Sequence, residues 1–392
     1  MTTVDLTERL EPALQTLRAG AADADRSSVF PTESMAALRK SGYMRFSLGK
    51  HLGGEQLSTV DRIDAHVAIG KADLSAIWIV GNYDSHTWDL SGHVTEPFPG
   101  ANDLLRAETA FCGTVAPVPG SLVEGAEIVM NGRFAFATGW KHATWMRSNI
   151  LLPGPSPETP RSESKFHVRL MHFPLDRPEV RVETTWDADG LRATHTDTVV
   201  VEGLRLPYAW SIPYTLDPMR GAPSFAAPSH YYKEPGWALS NSKAAVGLLG
   251  AGFELFDRAV EYVSGGGRAN QTGQPAARFP GVRYAMAEAF IELHSALAAQ
   301  RGVAAASDQR IATATPWTSA DEHAIWGVGT ASARAALRAV DEISLALGGT
   351  GHQRSLPFER IVRDMRTGAV HIGIHPSLVK DRISGHLFPG IR

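Results

Sequence analysis

Gly348-Gly349-Thr350-Gly351 closes a long alanine-rich segment over residues 320–347, and Pro357-Phe358-Glu359-Arg360-Ile361-Val362-Arg363-Asp364-Met365-Arg366 follows it. Glycine just past a periodic run ends a helix, and proline suits the start of the next. The spacing predicts a long helix, a glycine loop and a shorter helix after Pro357. Next comes His371-Ile372-Gly373-Ile374. His371 and His375 have the i, i+4 spacing that would place both on one helical face. Gly373 and Pro376 weaken a helix there, and no third ligand is indicated, so no metal site is expected.

Upstream, residues 280–300 and 244–263 carry further apolar helical faces, the latter ended by Gly265-Gly266-Gly267. Together these segments suit a four-helix bundle. From Phe111 to about Tyr208 the character differs, with short apolar runs separated by Gly, Pro and Asn. Ile128-Val129-Met130, Asn131-Gly132 and Arg133-Phe134-Ala135-Phe136 read as a tight hairpin, because Asn-Gly tolerates the positive φ of a type I′ turn. Phe166–Met171, Val180–Val182 and Thr198–Val201 are further strands, and residues 153–165 a surface loop. Residues 5–105 are helical: Leu6, Leu10, Leu14 and Leu17 recur at helical spacing, and Pro31 opens a second helix that Gly42 ends. Gly53-Gly54 marks a turn, Ser58 is an N-cap, and residues 65–88 form one buried helix. The expected domains are residues 1–107 (helical), 108–222 (β) and 223–392 (helical bundle).

The chain has 392 residues, 43% of them hydrophobic, enough for a large core. Its net charge of −3 and dispersed basic residues give no field for nucleic acid. With one cysteine, Cys112, an intrachain disulfide and a thiolate metal cluster are excluded. The N-terminal residues have no apolar signal region and no run is long enough to span a bilayer, so a cytoplasmic protein is expected.

The C-terminal stretch resembles the signature of the acyl-CoA dehydrogenase superfamily. So do Asn131–Gly139, which resembles the strand beside the flavin ring, Gly190–Pro207, which resembles the last β segment, and Arg268–Pro275, which resembles the segment reaching a flavin phosphate. The resemblance covers nearly the whole chain and implies an α+β fold with an N-terminal helical domain, a central β-barrel or sandwich, and a C-terminal four-helix bundle. It also implies a homotetramer, with a dimer as the minimum. Where one branch of dehydrogenases carries its glutamate base, this chain has Ile372 beside His371. At the alternative base position, on the first bundle helix, it has Ser240. Without a carboxylate, removal of a thioester α-proton has no suitable acceptor.

The chain is more similar to the two-component flavin monooxygenases of this superfamily. Phe136-Ala137-Thr138-Gly139, Ala116-Pro117-Val118-Pro119-Gly120, and His371 eight residues after Arg363 carry that resemblance. Trp78, His86 and Trp88 resemble its pocket helix; Thr138 departs from it in replacing a serine, and Trp140-Lys141 in standing where smaller or polar residues are usual. The implied activity uses reduced FAD or FMN, diffusing from an NAD(P)H:flavin reductase, and O2, through a C4a-hydroperoxide, to hydroxylate an aromatic or polycyclic small molecule. The residues it implies are His371 and Thr138 for catalysis. Thr114, Phe136, Thr138, Arg268, Gly348, Gly349 and Gly351 would hold the cofactor, and His86, Trp140 and His142 the substrate. An imidazole near the reacting oxygen can donate a hydrogen bond or take a proton. The alternatives are N-oxygenation of an amine or amino sugar, an acyl-CoA dehydrogenase with a displaced base, and a non-catalytic flavoprotein.

Overall fold

The structure is a computed structural model that describes residues 3–93, 104–105, 109–157, 164–214, 236–265 and 273–390. Both expected domain boundaries, Arg268 and the Ser240 side chain lie outside the described residues. The chain begins with α1 (Thr3–Ser27), α2 (Thr32–Lys40), α3 (Thr59–Ala72) and α4 (Leu74–His93). Leu6, Leu10, Leu14 and Leu17 form the buried stripe of α1, each side chain contributing about 1.5–3 kcal/mol of apolar burial. Ser58 caps α3 by accepting the Asp61 N–H. The single helix expected over residues 65–88 is two. Asp73 breaks it with an extended backbone, and its carboxylate accepts the Ser75 N–H at 2.9 Å. This is the competition between side chain and backbone that makes Asp a cap.

The central strands form two sheets, ordered β1-β4-β5-β8 and β2-β3-β7-β6. Their ranges are β1 Phe111–Gly113, β2 Leu122–Glu124, β3 Glu127–Ala137, β4 Trp145–Pro153, β5 Phe166–Pro174, β6 Val180–Glu183, β7 Asp197–Pro207 and β8 Ile212–Tyr214. The hairpin expected at Asn131-Gly132 is not formed. Those residues lie inside β3, which pairs with β7 along its length, with a register shift between Met130 and Asn131. Local turn preference loses to an unbroken ladder, and the irregularity is a bulge. Gly132 belongs there because its φ is 155° and a Cβ would lie 2.5 Å from Val118 Cγ1. The actual turn into β3 is one step earlier, between β2 and β3, where Gly125 takes φ 62°.

The later helices are α5 (Gly236–Ser264), α6 (Pro280–Thr313), α7 (Ser319–Leu347), α8 (Phe358–Ala369) and α9 (Pro376–Leu387). Helix α3 docks on α5 through backbone contact. A Cβ on Gly250 would sit 2.4 Å from the Val67 carbonyl oxygen, and one on Gly70 2.6 Å from that of Gly247. Asp308 of α6 caps the start of α3, accepting the Thr59 and Val60 N–H groups at 2.6 and 3.1 Å. Helix α4 is tied to α5 by the buried Lys243–Asp84 pair at 2.6 Å. Burial alone would raise the Asp84 pKa, but Lys243, His66 and Arg62 outweigh it and hold the carboxylate below its usual range. The N-terminal helices, the sheets and the bundle therefore meet around α4.

Candidate active site

The β side of the site grows from a fault in the β3–β7 ladder. Phe134 pairs with Val199 and Ala137 with Asp197, so one residue is extra. That bulge turns Phe136 outward with φ 64° and leaves its ring 68% exposed. The Trp186 ring meets it edge-on at 6.5 Å. Just beyond, the Thr138 hydroxyl lies 3.2 Å from that of Thr196, which lies 2.7 Å from that of Thr194. The Thr194 hydroxyl donates to the Leu191 carbonyl at 2.9 Å. Asp197, almost wholly buried, organises the surroundings. One carboxylate oxygen accepts the Thr185 and Trp186 backbone N–H groups at 2.8 and 3.0 Å, and the other accepts the Trp140 indole N–H at 2.8 Å.

The loop carrying Leu191 is held from the other side by α8. Asp364 is 2% exposed and accepts the Leu191 N–H at 2.6 Å. Burial pushes its pKa up to about 7, although Arg360 and the Leu191 N–H pull downward. Arg363 donates to the Asp189 carbonyl and pairs with Asp25 at 2.9 Å and Glu359 at 2.7 Å. The same helix ends two residues before His371.

His371 is exposed as a residue, yet the atoms packed around its ring desolvate it and lower its pKa to about 4. Its ring meets Trp78 of α4 edge-on at 5.5 Å. Its Nδ1 accepts the Gly373 N–H at 3.2 Å. A neutral imidazole has one proton, so that proton is on Nε2, and His371 offers a donor. Ile372, its neighbour, is 58% exposed. Helix α4 also touches the β side: Tyr83 donates its hydroxyl to the Gly139 carbonyl, and a Cβ on Gly139 would lie 2.7 Å from Ile79 Cγ2. Trp78 and Ile79 are consecutive, so about 100° of rotation around α4 separates the His371 side from the Gly139 side.

Phe136, Thr138 and Trp140 thus lie together beside the loop before β7, and His371 lies against Trp78 of α4. His86 turns instead toward Gly113, whose Cβ would lie 2.6 Å from its Nε2. Burial, with Arg147 adding to it, lowers its pKa to about 3. His142 leans on the α1–α2 connection, its Nε2 3.1 Å from the Phe30 carbonyl oxygen. Thr114 is buried, its hydroxyl 3.0 Å from that of Ser148. Gly348, Gly349 and Gly351 precede α8, whereas His371 follows it, and α8 is about 18 Å long. Trp186, Thr194, Thr196 and Asp197 are not marked as site residues in the sequence; the last three lie in Gly190–Pro207, the segment that resembles the last β segment, but residues 190–196 form a turn and loop and the strand begins at Asp197.

The family description "Acyl-CoA dehydrogenase, C-terminal domain" matches residues 243–376. The crystal structure of 3-HSA hydroxylase from Rhodococcus sp. RHA1 superposes with a TM-score of 0.86 at 21% identity, covering 99% of this chain and 97% of that one. The chain shares the fold of that structure, and its residues 243–376 match the acyl-CoA dehydrogenase C-terminal domain. Among its relatives is the flavin-dependent monooxygenase oxygenase subunit HsaA of Rhodococcus jostii (strain RHA1), 26% identical over 94% of both chains. Another is the oxygenase component of the FADH2-dependent resorcinol hydroxylase of Rhizobium sp. (strain MTP-10005), 25% identical over 91% of this chain and 89% of that one. A flavin fits the residues present. The outward Phe136 ring with Trp186 at its edge offers a flat aromatic wall, and the Thr138 hydroxyl offers a polar contact beside it. No helix among the described residues is long and apolar enough to cross a membrane.

Proposed function

We propose that this protein is the oxygenase component of a two-component flavin monooxygenase. It takes reduced FAD or FMN from a separate NAD(P)H:flavin reductase, uses O2, and hydroxylates an aromatic or polycyclic small molecule. The observation that carries the reading is the His371–Ile372 pair. Where the dehydrogenases it resembles carry a carboxylate base, this chain has Ile372 beside His371, whose neutral imidazole donates through its Nε2–H. Reduced flavin with O2 supplies the oxygen transfer. The chain supplies the donor at His371, the hydroxyl at Thr138, the Phe136 and Trp186 rings, and apolar side chains at Trp78 and Ile372. An aromatic substrate suits those side chains, and resorcinol hydroxylase among the relatives supports the same class. Arg268, Thr114 and the Gly348–Gly351 loop are the remaining proposed flavin contacts, the loop reaching the flavin of a neighbouring subunit.

A homotetramer is part of this proposal, with a dimer as the minimum. Tyr284 and Ile291, seven residues apart on one face of α6, are 73% and 55% exposed, an apolar stripe suited to a second copy. Sedimentation equilibrium tests it, and a monomer would remove that part. The test of function is anaerobic mixing with reduced flavin, then 18O2 and a panel of phenols and fused-ring aromatics. One 18O atom in the product is expected. Bleaching of an oxidised flavin complex by acyl-CoA without O2 would instead establish a dehydrogenase.

A further inference from the structure

We infer that Thr194 and Thr196 are positioning residues that fix the Thr138 hydroxyl as an acceptor only, so that the site prefers reduced flavin to oxidised flavin; this rests on the function proposed above. The argument is one of hydrogen direction. A threonine hydroxyl has one proton to give. The Leu191 carbonyl can only accept, so at 2.9 Å the Thr194 proton must point to it. At the 2.7 Å Thr194–Thr196 contact, Thr196 is therefore the donor. At the 3.2 Å Thr196–Thr138 contact, the Thr196 proton is already committed, so Thr138 is the donor. The chain runs Thr138 to Thr196 to Thr194 to Leu191. The reverse direction would leave two oxygens 2.9 Å apart with no hydrogen between them.

Thr138 is thereby left with lone pairs and no proton for a ligand. Reduced flavin carries N–H at N5, which an acceptor satisfies. Oxidised flavin has a bare nitrogen at N5, and an acceptor facing it would meet a second acceptor. The anchor is rigid at its far end. Leu191 also receives the Trp186 indole N–H at 2.9 Å, and its own N–H is held by the buried Asp364. Thr138 and Thr196 are both nearly closed to solvent, so water does not replace a missing partner cheaply.

The test uses the full-length protein and measures Kd for oxidised and dithionite-reduced FAD, both anaerobically, by quenching of tryptophan fluorescence. The readout is the ratio of oxidised to reduced Kd for each variant, which general loosening of the fold leaves unchanged. Thr196→Val is expected to lower the ratio about tenfold, the worth of one hydrogen bond at the upper end of the usual range. Thr196→Ser retains the hydroxyl and is expected to keep the wild-type ratio. Thr138→Val should lower the ratio alone, and adding Thr196→Val to it should change nothing further. An unchanged ratio in Thr196→Val, or a further drop when it is added to Thr138→Val, overturns the inference. If wild-type protein binds neither form, the function proposed above fails, and the inference with it.

Discussion

Replacing Asp197 by Asn tests whether one buried carboxylate holds the two tryptophans of the site. The side chain is 3% exposed and keeps three partners within 3.0 Å. Asparagine matches it in shape. Its remaining oxygen can still accept the Thr185 and Trp186 N–H groups. Its amide nitrogen must then face the Trp140 indole N–H, two donors where a charged acceptor stood. Loss of a hydrogen bond to a charged group costs about 1.5–3 kcal/mol, and a donor stranded in the interior adds about 1–3 kcal/mol. Partial relaxation toward solvent at Trp140 makes about 3 kcal/mol the expected loss of unfolding free energy. The same change should weaken flavin binding, because Trp186 sits edge-on to Phe136. Trp140→Phe removes the offending donor, so the double variant should recover about 1–2 kcal/mol relative to the sum of the single changes. Urea unfolding at pH 7.5, followed by circular dichroism, measures all four members of the cycle. A loss below about 0.5 kcal/mol in Asp197→Asn, or strict additivity with Trp140→Phe, would refute the reasoning.

His371→Ala should lower product yield and raise release of H2O2 in an O2 and peroxide balance. Because the His371 pKa is near 4, coupling in the wild type should stay flat from pH 6 to 9. Asp364 has a folded pKa near 7, above its unfolded value, so the folded state holds the extra proton and stability falls as pH rises toward 7. Asp364→Asn keeps an acceptor for Leu191 and escapes this, so its advantage over wild type should grow by about 1.4 kcal/mol per pH unit between pH 4 and 7 and then level off. His66 and His86 are both held near pKa 3 by burial, so stability falls as pH drops from about 6.5, by up to about 1.4 kcal/mol per unit for each. His86→Gln should remove one proton from that slope in urea titrations across pH 6.5 to 4. Gly250→Ala forces a methyl within 2.4 Å of the Val67 carbonyl oxygen and should cost about 1–3 kcal/mol, read as a lowered thermal midpoint.

The helices were legible because their signals are local. The four leucines of α1, the Ser58 cap and the glycine end of α7 each act within a turn or two of helix. The strands were legible as segments, but not as a ladder. Asn131-Gly132 has a strong hairpin preference, and only the partner strand β7, some seventy residues away, reveals that β3 runs through it. Asp73 was hidden in an alanine-rich run, although it breaks the helix by capping α4. In the site, His371, Thr138 and Phe136 could be named by their register in a motif. The role of Thr194 and Thr196 could not be, because the direction of a hydroxyl depends on which carbonyl folding sets beside it. His86 follows Trp78 by eight residues, and at about 100° per residue it stands roughly 80° round the helix. That rotation takes it from the His371 side to the sheet.

Helix α8 grips the Leu191 loop through Asp364 and delivers His371 two residues past its end. The donor and the anchor of the acceptor are therefore mounted on a common beam. A tilt of α8 moves His371 and the Leu191 anchor of the threonine chain together. Helix α4, pinned separately by Lys243 and Asp84, forms the opposite wall at Trp78. Because Tyr83 of the same helix holds the Gly139 carbonyl beside Thr138, reshaping that wall for a bulkier or slimmer guest also retunes the reactive geometry.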